Sequence, residues 1–297
     1  MFSEIYHMPC KVCGSSDISF YLRSYYYSFD VFRCNSCGIM FRFPLPTKEE
    51  ITSMYEEGYY SGKNAYSYVD ERNMKGSQIV WEERVKKLIS IYSSENRFNP
   101  RNILDVGCSF GGFLETAKRF GLEPYGVEIS EYSANYALSR GLKIYRGHID
   151  EVELPRDHFD IITLVEVIEH LDDPLKTLKK LFYSNSKGGI ILIQTANIEG
   201  GQSKFFGNKY HYYLPGHLHY FSNKTLRKLL LEVGYKKVLE FYPVEFGLLP
   251  KVVKVYLNNK GIVRYLKILK TSIYHFLGRI KIGDFTLMSS MVMIGIK

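Results

Sequence analysis

The chain has no uninterrupted apolar run long enough to cross a bilayer, which takes about 20 predominantly apolar residues. Its first residues, Met1-Phe2-Ser3-Glu4-Ile5, lack the basic stretch and following apolar core of a secretory signal. The expectation is a cytoplasmic protein with no transmembrane segment. Five cysteines in 297 residues do not make the disulfide framework of a secreted domain. There is no Gly-Lys-Ser/Thr and no G-x-G-x-x-G, which argues against a phosphate-binding P-loop and a conventional dinucleotide site. Finally, no Asp or Glu occurs from Phe246 to Gly283.

What remains is an ordinary globular composition, 45% hydrophobic and 24% charged, with length enough for one large domain and an accessory piece. The formal charge of +8 permits an anionic partner such as nucleic acid, a phosphorylated sugar or a lipid headgroup, and selects none of them.

Four of the cysteines are paired. Cys10-Lys11-Val12-Cys13-Gly14 and Cys34-Asn35-Ser36-Cys37-Gly38 are separated by residues 14–33. This is the spacing of a zinc ribbon, with four thiolates in a closed tetrahedral site of the structural kind. Residues 1–45 are expected to form that ribbon, because so short a segment buries too little core to fold without a staple. The aromatic run Phe20–Phe29 suits a hairpin. Its alternative use, a stacking surface for bases, is the weaker reading. Residues 46–100 read as a helical linker or lid, with Tyr59, Tyr60 and Tyr66 as candidate covers.

From residue 101 to 297 the chain alternates strand and helix. Strands are expected at Ile103–Val106, Pro124–Glu128, Lys143–Tyr145, Phe159–Val165, Gly189–Gln194, Lys237–Tyr242 and Thr286–Ile296. Asp173-Pro174 is an N-cap with proline at the first helical position, and Ser222 caps a helix with the stripe Leu226, Leu229, Leu230 and Val233, closed by Gly234. Repeated βα units imply a parallel sheet with helices on both faces. Ligands of such folds bind beyond the carboxyl ends of the strands.

The chemistry-bearing residues fall at those ends. Asp105-Val106-Gly107-Cys108-Ser109-Phe110-Gly111-Gly112 follows the first strand, and Glu128 stands 23 residues after Asp105 at the tip of the next. A carboxylate there suits the two hydroxyls of a ribose. The fourth strand runs into Glu166-Val167-Ile168-Glu169-His170-Leu171-Asp172-Asp173-Pro174, and Pro215-Gly216-His217-Leu218-His219-Tyr220-Phe221-Ser222 leads into the last helix.

Together these segments resemble class I S-adenosylmethionine (SAM) dependent methyltransferases of the small-molecule group. Their glycine loop reads D-x-G-x-G-x-G, their fourth strand ends in E-H-x-x-D-P, and H-x-x-x-F-S leads into the last helix. Ser109 departs from the pattern, which has glycine there. The resemblance implies a doubly wound, seven-stranded Rossmann-like α/β sheet. It implies that Asp105, Gly107, Cys108 and Gly111 hold the methionine part of SAM and that Glu128, with Ile129, holds the ribose. Asp150 would face the adenine, and Glu166 completes the cofactor set. Cys108 reads as a small filler, not a nucleophile. An oxygen acceptor calls for a base, for which His170, His217 and His219 are the candidates. The implied acceptor is a small molecule, with a sugar or lipid-linked sugar as one class. Nucleic acid is the weaker alternative, because the chain lacks the N/D-P-P-Y/F tetrapeptide of many base amino methyltransferases. A SAM-binding protein without turnover is the third reading.

The acid-free stretch 246–283 carries eight cations. Ile262, Leu266, Leu269, Ile273, Phe276 and Leu277 share one helical face, with Lys260, Arg264 and Lys267 opposite. A basic amphipathic helix can lie on an anionic membrane, giving peripheral contact. The preferred expectation is a helix that packs its apolar face on its own domain or on a second copy.

Overall fold

The computed structural model describes residues 9–54, 70, 72, 74–241, 247–283 and 285–297. Three short strands, β1 (Ile18–Arg23), β2 (Asp30–Cys34) and β3 (Met40–Phe43), precede helices α1 (Lys48–Met54) and α2 (Ser77–Asn96). The three tyrosines expected as a lid lie outside the described residues.

The alternation then runs β4 (Asn102–Val106), α3 (Gly112–Arg119), β5 (Glu123–Glu128), α4 (Glu131–Ser139), β6 (Lys143–Arg146), β7 (Phe159–Val165), α5 (Pro174–Ser184), β8 (Asn185–Ala196) and α6 (Gly201–Phe206). It closes with β9 (His219–Tyr220), α7 (Asn223–Val233), β10 (Lys237–Phe241), α8 (Leu248–Asn258), α9 (Gly261–Leu277), β11 (Lys281–Ile282), β12 (Phe285–Thr286) and β13 (Ser290–Ile296). Seven strands form one sheet in the order β10-β13-β8-β7-β4-β5-β6. Only β13 runs antiparallel to its neighbours β8 and β10.

The sheet is buried on both faces, so its central strands are apolar throughout instead of alternating. Leu104, Ile162, Leu164, Ile191 and Ile193 point to one face and meet Leu178, Leu181, Leu226 and Leu230 of α5 and α7. Ile103, Ile161, Ile190, Leu192 and Ile294 point to the other and meet Val85 and Leu88 of α2 and Phe113 and Ala117 of α3. Each fully buried Leu or Ile contributes roughly 1.5–3 kcal/mol. The helix caps are as the sequence suggests: Asp173 accepts from the Lys176 amide at 2.9 Å, and Ser222 forms a capping box with Thr225.

The cysteine-bearing segment is built into the larger unit. Its sheet has the order β1-β2-β3-β9, so the last strand comes from the loop before α7. Met40 pairs with Tyr220 and Phe41 with His219. Cys10, Val12, Cys34 and Ile39 share one apolar cluster with Phe221, Leu226 and Leu229. An ion pair joins Lys11 to Asp172, and another joins Arg33 to Glu199 at 3.3 Å.

The basic insertion does not take the first of its two expected arrangements, packing on its own domain. It forms a helical pair, in which α9 lies along α8 and α8 rests on α2. The apolar stripe of α9 does not pack on the domain: Ile262 is 70% exposed, Leu266 59%, Leu269 57% and Phe276 62%. The side of α9 that turns inward instead carries the buried His275, and the Tyr274 hydroxyl reaches Ser290 on β13 at 3.0 Å. Of the predicted face, Leu277 alone is half-buried.

Candidate active site

The turn after β4 is shaped by residues in the left-handed region: Gly107 at φ 75°, Ser109 at 49° and Gly111 at 83°. Glycine adopts these angles at little cost, and Ser109 is the one side chain that tolerates the strain. Its Oγ is buried without a partner among the described residues. The amides of Gly107 and Cys108 both donate to the Val127 carbonyl, at 2.8 and 3.1 Å, which pins the turn to the end of β5. A Cβ on Gly107 would lie 2.7 Å from Val167, so the turn after β4 touches the segment after β7. A Cβ on Gly111 would lie 2.3 Å from Leu142. Packing against α4 and its loop therefore requires that glycine. Cys108 is buried with Leu114, Ala137 and Leu142, as a small filler should be.

Glu128 is the organising carboxylate. Its two oxygens accept from the Ser109 and Ser130 amides, each at 2.8 Å. It ties the glycine turn to the start of α4 and still has lone pairs for further donors. Burial pushes its pKa up, and the amide bonds from Ser130 and Ser109 oppose that shift. Asp105, also buried, accepts from the Thr163 hydroxyl at 2.6 Å. Burial raises it to about 7, against the Thr163 bond and the nearby Arg84 charge. Ile129 is half-buried beside Glu128. Asp150 is drawn toward α5, where it accepts from Thr177 at 2.6 Å, and lies 3.6 Å from the His148 ring nitrogen.

Beyond β7 lies a second cluster. Glu166 has φ 56°. Its side chain is solvent-exposed, and the protein packed around the carboxyl raises its pKa. The Tyr212 hydroxyl donates toward Glu166 at 3.2 Å, forms a short bond with Glu169, and lies 2.9 Å from the Thr195 hydroxyl. Glu169 is fully buried, and its second oxygen has no partner among the described residues. Burial, and then the Glu166 charge, push its pKa well up. Arg84 of α2 reaches this region through Gln194, whose amide oxygen it meets at 3.2 Å.

The structure separates the three candidate bases. His170 and His217 lie together, with ring centroids 4.7 Å apart, and Tyr212 packs on His217 at 4.2 Å. Each donates its Nδ1 proton to a backbone carbonyl: His170 to Gly216 at 2.9 Å and His217 to Tyr212 at 2.8 Å. That tautomer leaves the basic lone pair on Nε2. Burial depresses both, His170 to about 4. His170 is the less covered ring, whereas His217 is buried. His219 lies elsewhere. It pairs with β3, bonds Leu171 at 3.0 Å and is buried against the ribbon, which gives it a place in the joint between the two sheets.

Glu169 was legible only as the glutamate of the E-H-x-x-D-P motif, and Tyr212, Gln194, Arg84 and Arg42 were not singled out by sequence. Arg42 on β3 donates to the Pro44 carbonyl at 3.0 Å and to Pro215, so the ribbon braces the loop that carries His217. The run Tyr210-His211-Tyr212-Tyr213 before Pro215-Gly216 is the local hint of the tyrosine in this cluster.

The four paired cysteines come together. Their sulfurs lie within 4.8 Å of one another, with Cys10–Cys37 at 3.7 Å and Cys13–Cys34 at 3.5 Å. Thiolates about 2.3 Å from one tetrahedral ion are roughly 3.8 Å apart, so the cluster fits a metal of zinc size. Gly14 and Gly38, at φ 73° and 83°, turn the chain after each pair.

Strand order, glycine turn and the carboxylate across from it define a class I SAM-dependent methyltransferase domain. The family profile described as a methyltransferase domain matches residues 80–240, more than half of the chain, and the chain belongs to that family. It is 29% identical over 111 residues to a ubiquinone biosynthesis O-methyltransferase of Colwellia psychrerythraea, a match covering 35% of this chain and 45% of that protein. It is 31% identical over 103 residues to ajmaline N-methyltransferase of Rauvolfia serpentina, covering 32% and 35%. The chain thus spans less than half the length of these relatives. Among solved structures, a SAM-dependent methyltransferase from Archaeoglobus fulgidus shares the fold, with a TM-score of 0.52 and 20% identity over 79% of this chain and all of that one.

Proposed function

We propose that the protein transfers a methyl group from SAM to a hydroxyl of a small-molecule acceptor, with His170 as the base. The observation that supports this reading is the close approach of Gly107 to Val167, which sets the glycine turn beside the segment that carries Glu166, Glu169 and His170. A displacement needs its nucleophile, methyl and leaving group held in line, and the base within reach.

The residues present fit the cofactor. Gly107 is exposed at the turn, and Glu128 is held rigid by two amides with lone pairs to spare for a ribose. Asp105, Glu128, Glu166 and Glu169 are carboxyls whose pKa values burial raises, and a bound cation would favour their ionised forms. Bound there, SAM supplies an electrophilic methyl on a sulfonium. His170, neutral because burial depresses it, is ready to take the acceptor's proton at Nε2. Its Nδ1–H bond to Gly216 fixes the ring, and the His217 ring meets it edge-on. Asp150 is read as a contact to the adenine that also anchors α5.

Cys10, Cys13, Cys34 and Cys37 would hold Zn2+ in a structural role, with Arg42 and β9 transmitting the ribbon's order to the His217 loop. Residues 1–45, 46–100 and 101–297 are read as ribbon, linker and methyltransferase domain. Among the described residues no helix is long and apolar enough to cross a membrane.

The test is transfer of tritiated methyl from SAM into pools of nucleotide sugars, lipid extracts and RNA, with calorimetry of SAM and its demethylated product in parallel. Label is expected in a small-molecule pool and absent with His170→Ala, whereas SAM still binds that variant. Label in RNA alone would overturn the acceptor class, and binding with no label in any pool would overturn turnover.

A further inference from the structure

We infer that the α8–α9 hairpin is a peripheral docking surface for an anionic phospholipid bilayer. The inference is independent of the acceptor assignment.

Ile262, Leu266, Leu269, Ile273 and Phe276 recur at alternating spacings of four and three, so they line one side of α9. All five are exposed, as are Ile280 and Ile282 just beyond the helix end. At about 1.5 Å per residue α9 is roughly 25 Å long, and a contiguous apolar strip of that length is unusual on a free surface. Amphipathic helices normally bury this face on their own domain. Here the domain side is taken by His275, Arg264 and Tyr274: Arg264 stacks 4.0 Å above Tyr256 and donates to the Asn259 carbonyl at 2.8 Å.

Charge selects the occupant. Residues 247–283 contain no acid, and their eight cations equal the net charge of the whole chain, so the rest is balanced. Exposed Lys270 borders the strip, and exposed Lys260 and Lys267 lie further round the same helix. A second copy docked on the same strip would bring lysines against lysines with no carboxylate in the segment to neutralise them. An anionic headgroup layer supplies the opposite charge around an apolar interior and matches both features. The helices are too short or too polar to span, so the contact is one of lying on the surface.

The test uses the full chain and flotation on vesicles of phosphatidylcholine with and without phosphatidylglycerol. Binding is expected only with phosphatidylglycerol, weakening as salt rises. The variant Leu266→Gln/Leu269→Gln/Ile273→Gln should float about tenfold less, and Lys267→Glu/Lys270→Glu should do the same. All substituted side chains are exposed, and unchanged melting verifies the fold. No flotation of the parent chain at low salt overturns the inference, as does equal flotation of the triple variant. A dimer seen by light scattering that the triple variant dissociates, with no vesicle binding, would assign the strip to a second copy instead.

Discussion

The sheet carries two attachments of similar length, the cysteine-bearing segment and the α8–α9 hairpin, and they are joined in opposite ways. The first shares its sheet with β9 and its apolar cluster with Phe221 and Leu226, and it braces the His217 loop through Arg42. The second leaves its apolar stripe exposed. Apolar surface buried against the domain couples an attachment to the site, whereas apolar surface left outside is available to something else. The ribbon should therefore behave as part of the active centre, and the hairpin as a separable adaptor.

The largest effect is expected from breaking the first attachment. Cys34→Ser, or chelation with phenanthroline, should unfold β1–β3, because structural zinc sites supply the folding free energy of their segments. Since β9 then loses β3, the His217 loop should loosen and methyl transfer should be lost. Melting should fall by roughly 10 °C, about 4 kcal/mol spread over a chain of this size. Chelated protein with unaltered melting and activity would show that the ribbon is decoration.

Next comes Glu128. Replacing it with alanine leaves the Ser109 and Ser130 amides without their acceptor and removes the expected ribose ligand. Two charge-assisted bonds at about 1.5 kcal/mol each predict roughly 100-fold weaker SAM binding by calorimetry. Glu128→Gln keeps one acceptor oxygen and should fall between.

These two predictions rest on features of unequal legibility. The cysteine spacing, the glycine turn and Glu128 are local, since each motif carries its own geometric reason, and strands such as Phe159–Val165 stand where their apolar runs place them. The Tyr212–Glu169–His217 cluster is not local: it joins residues more than 40 positions apart, and only the strand order brings them together. Gly111 was legible as a glycine but not for the reason found, because Leu142 lies across the chain from it. Likewise β9 is two residues long, too short for a periodic signal, although it welds the ribbon to the domain. The stripe of α9 was legible, but whether it faces the domain or the solvent is a tertiary fact.

A smaller effect concerns pH. Asp105 is raised to about 7 by burial. The protonated form is favoured in the folded apo state, so this group's stabilising share is fully present below its unfolded value and is lost as pH rises through about 7. A cationic ligand reverses the preference, since it favours the carboxylate. SAM affinity should therefore rise as pH goes from 6 to 8, by up to about tenfold per unit below 7. SAM binding near pH 6.5 should release protons, visible as buffer-dependent heats. The demethylated product lacks the sulfonium charge and should depend on pH less. Equal pH profiles for both ligands would place Asp105 outside the electrostatic reach of the cofactor.

The smallest effect is expected where the comparison is most exposed to refutation, at the hairpin. The triple substitution Leu266→Gln/Leu269→Gln/Ile273→Gln touches side chains that are exposed and pack on no described core cluster. Surface changes of this kind stay within about 0.5 kcal/mol each, so melting should move by no more than a few degrees, and removal of exposed apolar area raises solubility. Methyl transfer to a water-soluble acceptor should keep its kcat and KM, because the three substituted side chains point to solvent, whereas Arg42 of the ribbon bonds the Pro215 carbonyl directly. A drop in kcat with that acceptor would mean that α9 is energetically coupled to the cleft through α8 and α2, where Arg84 sits. The hairpin would then be a second brace, and the contrast between the two attachments would be one of degree.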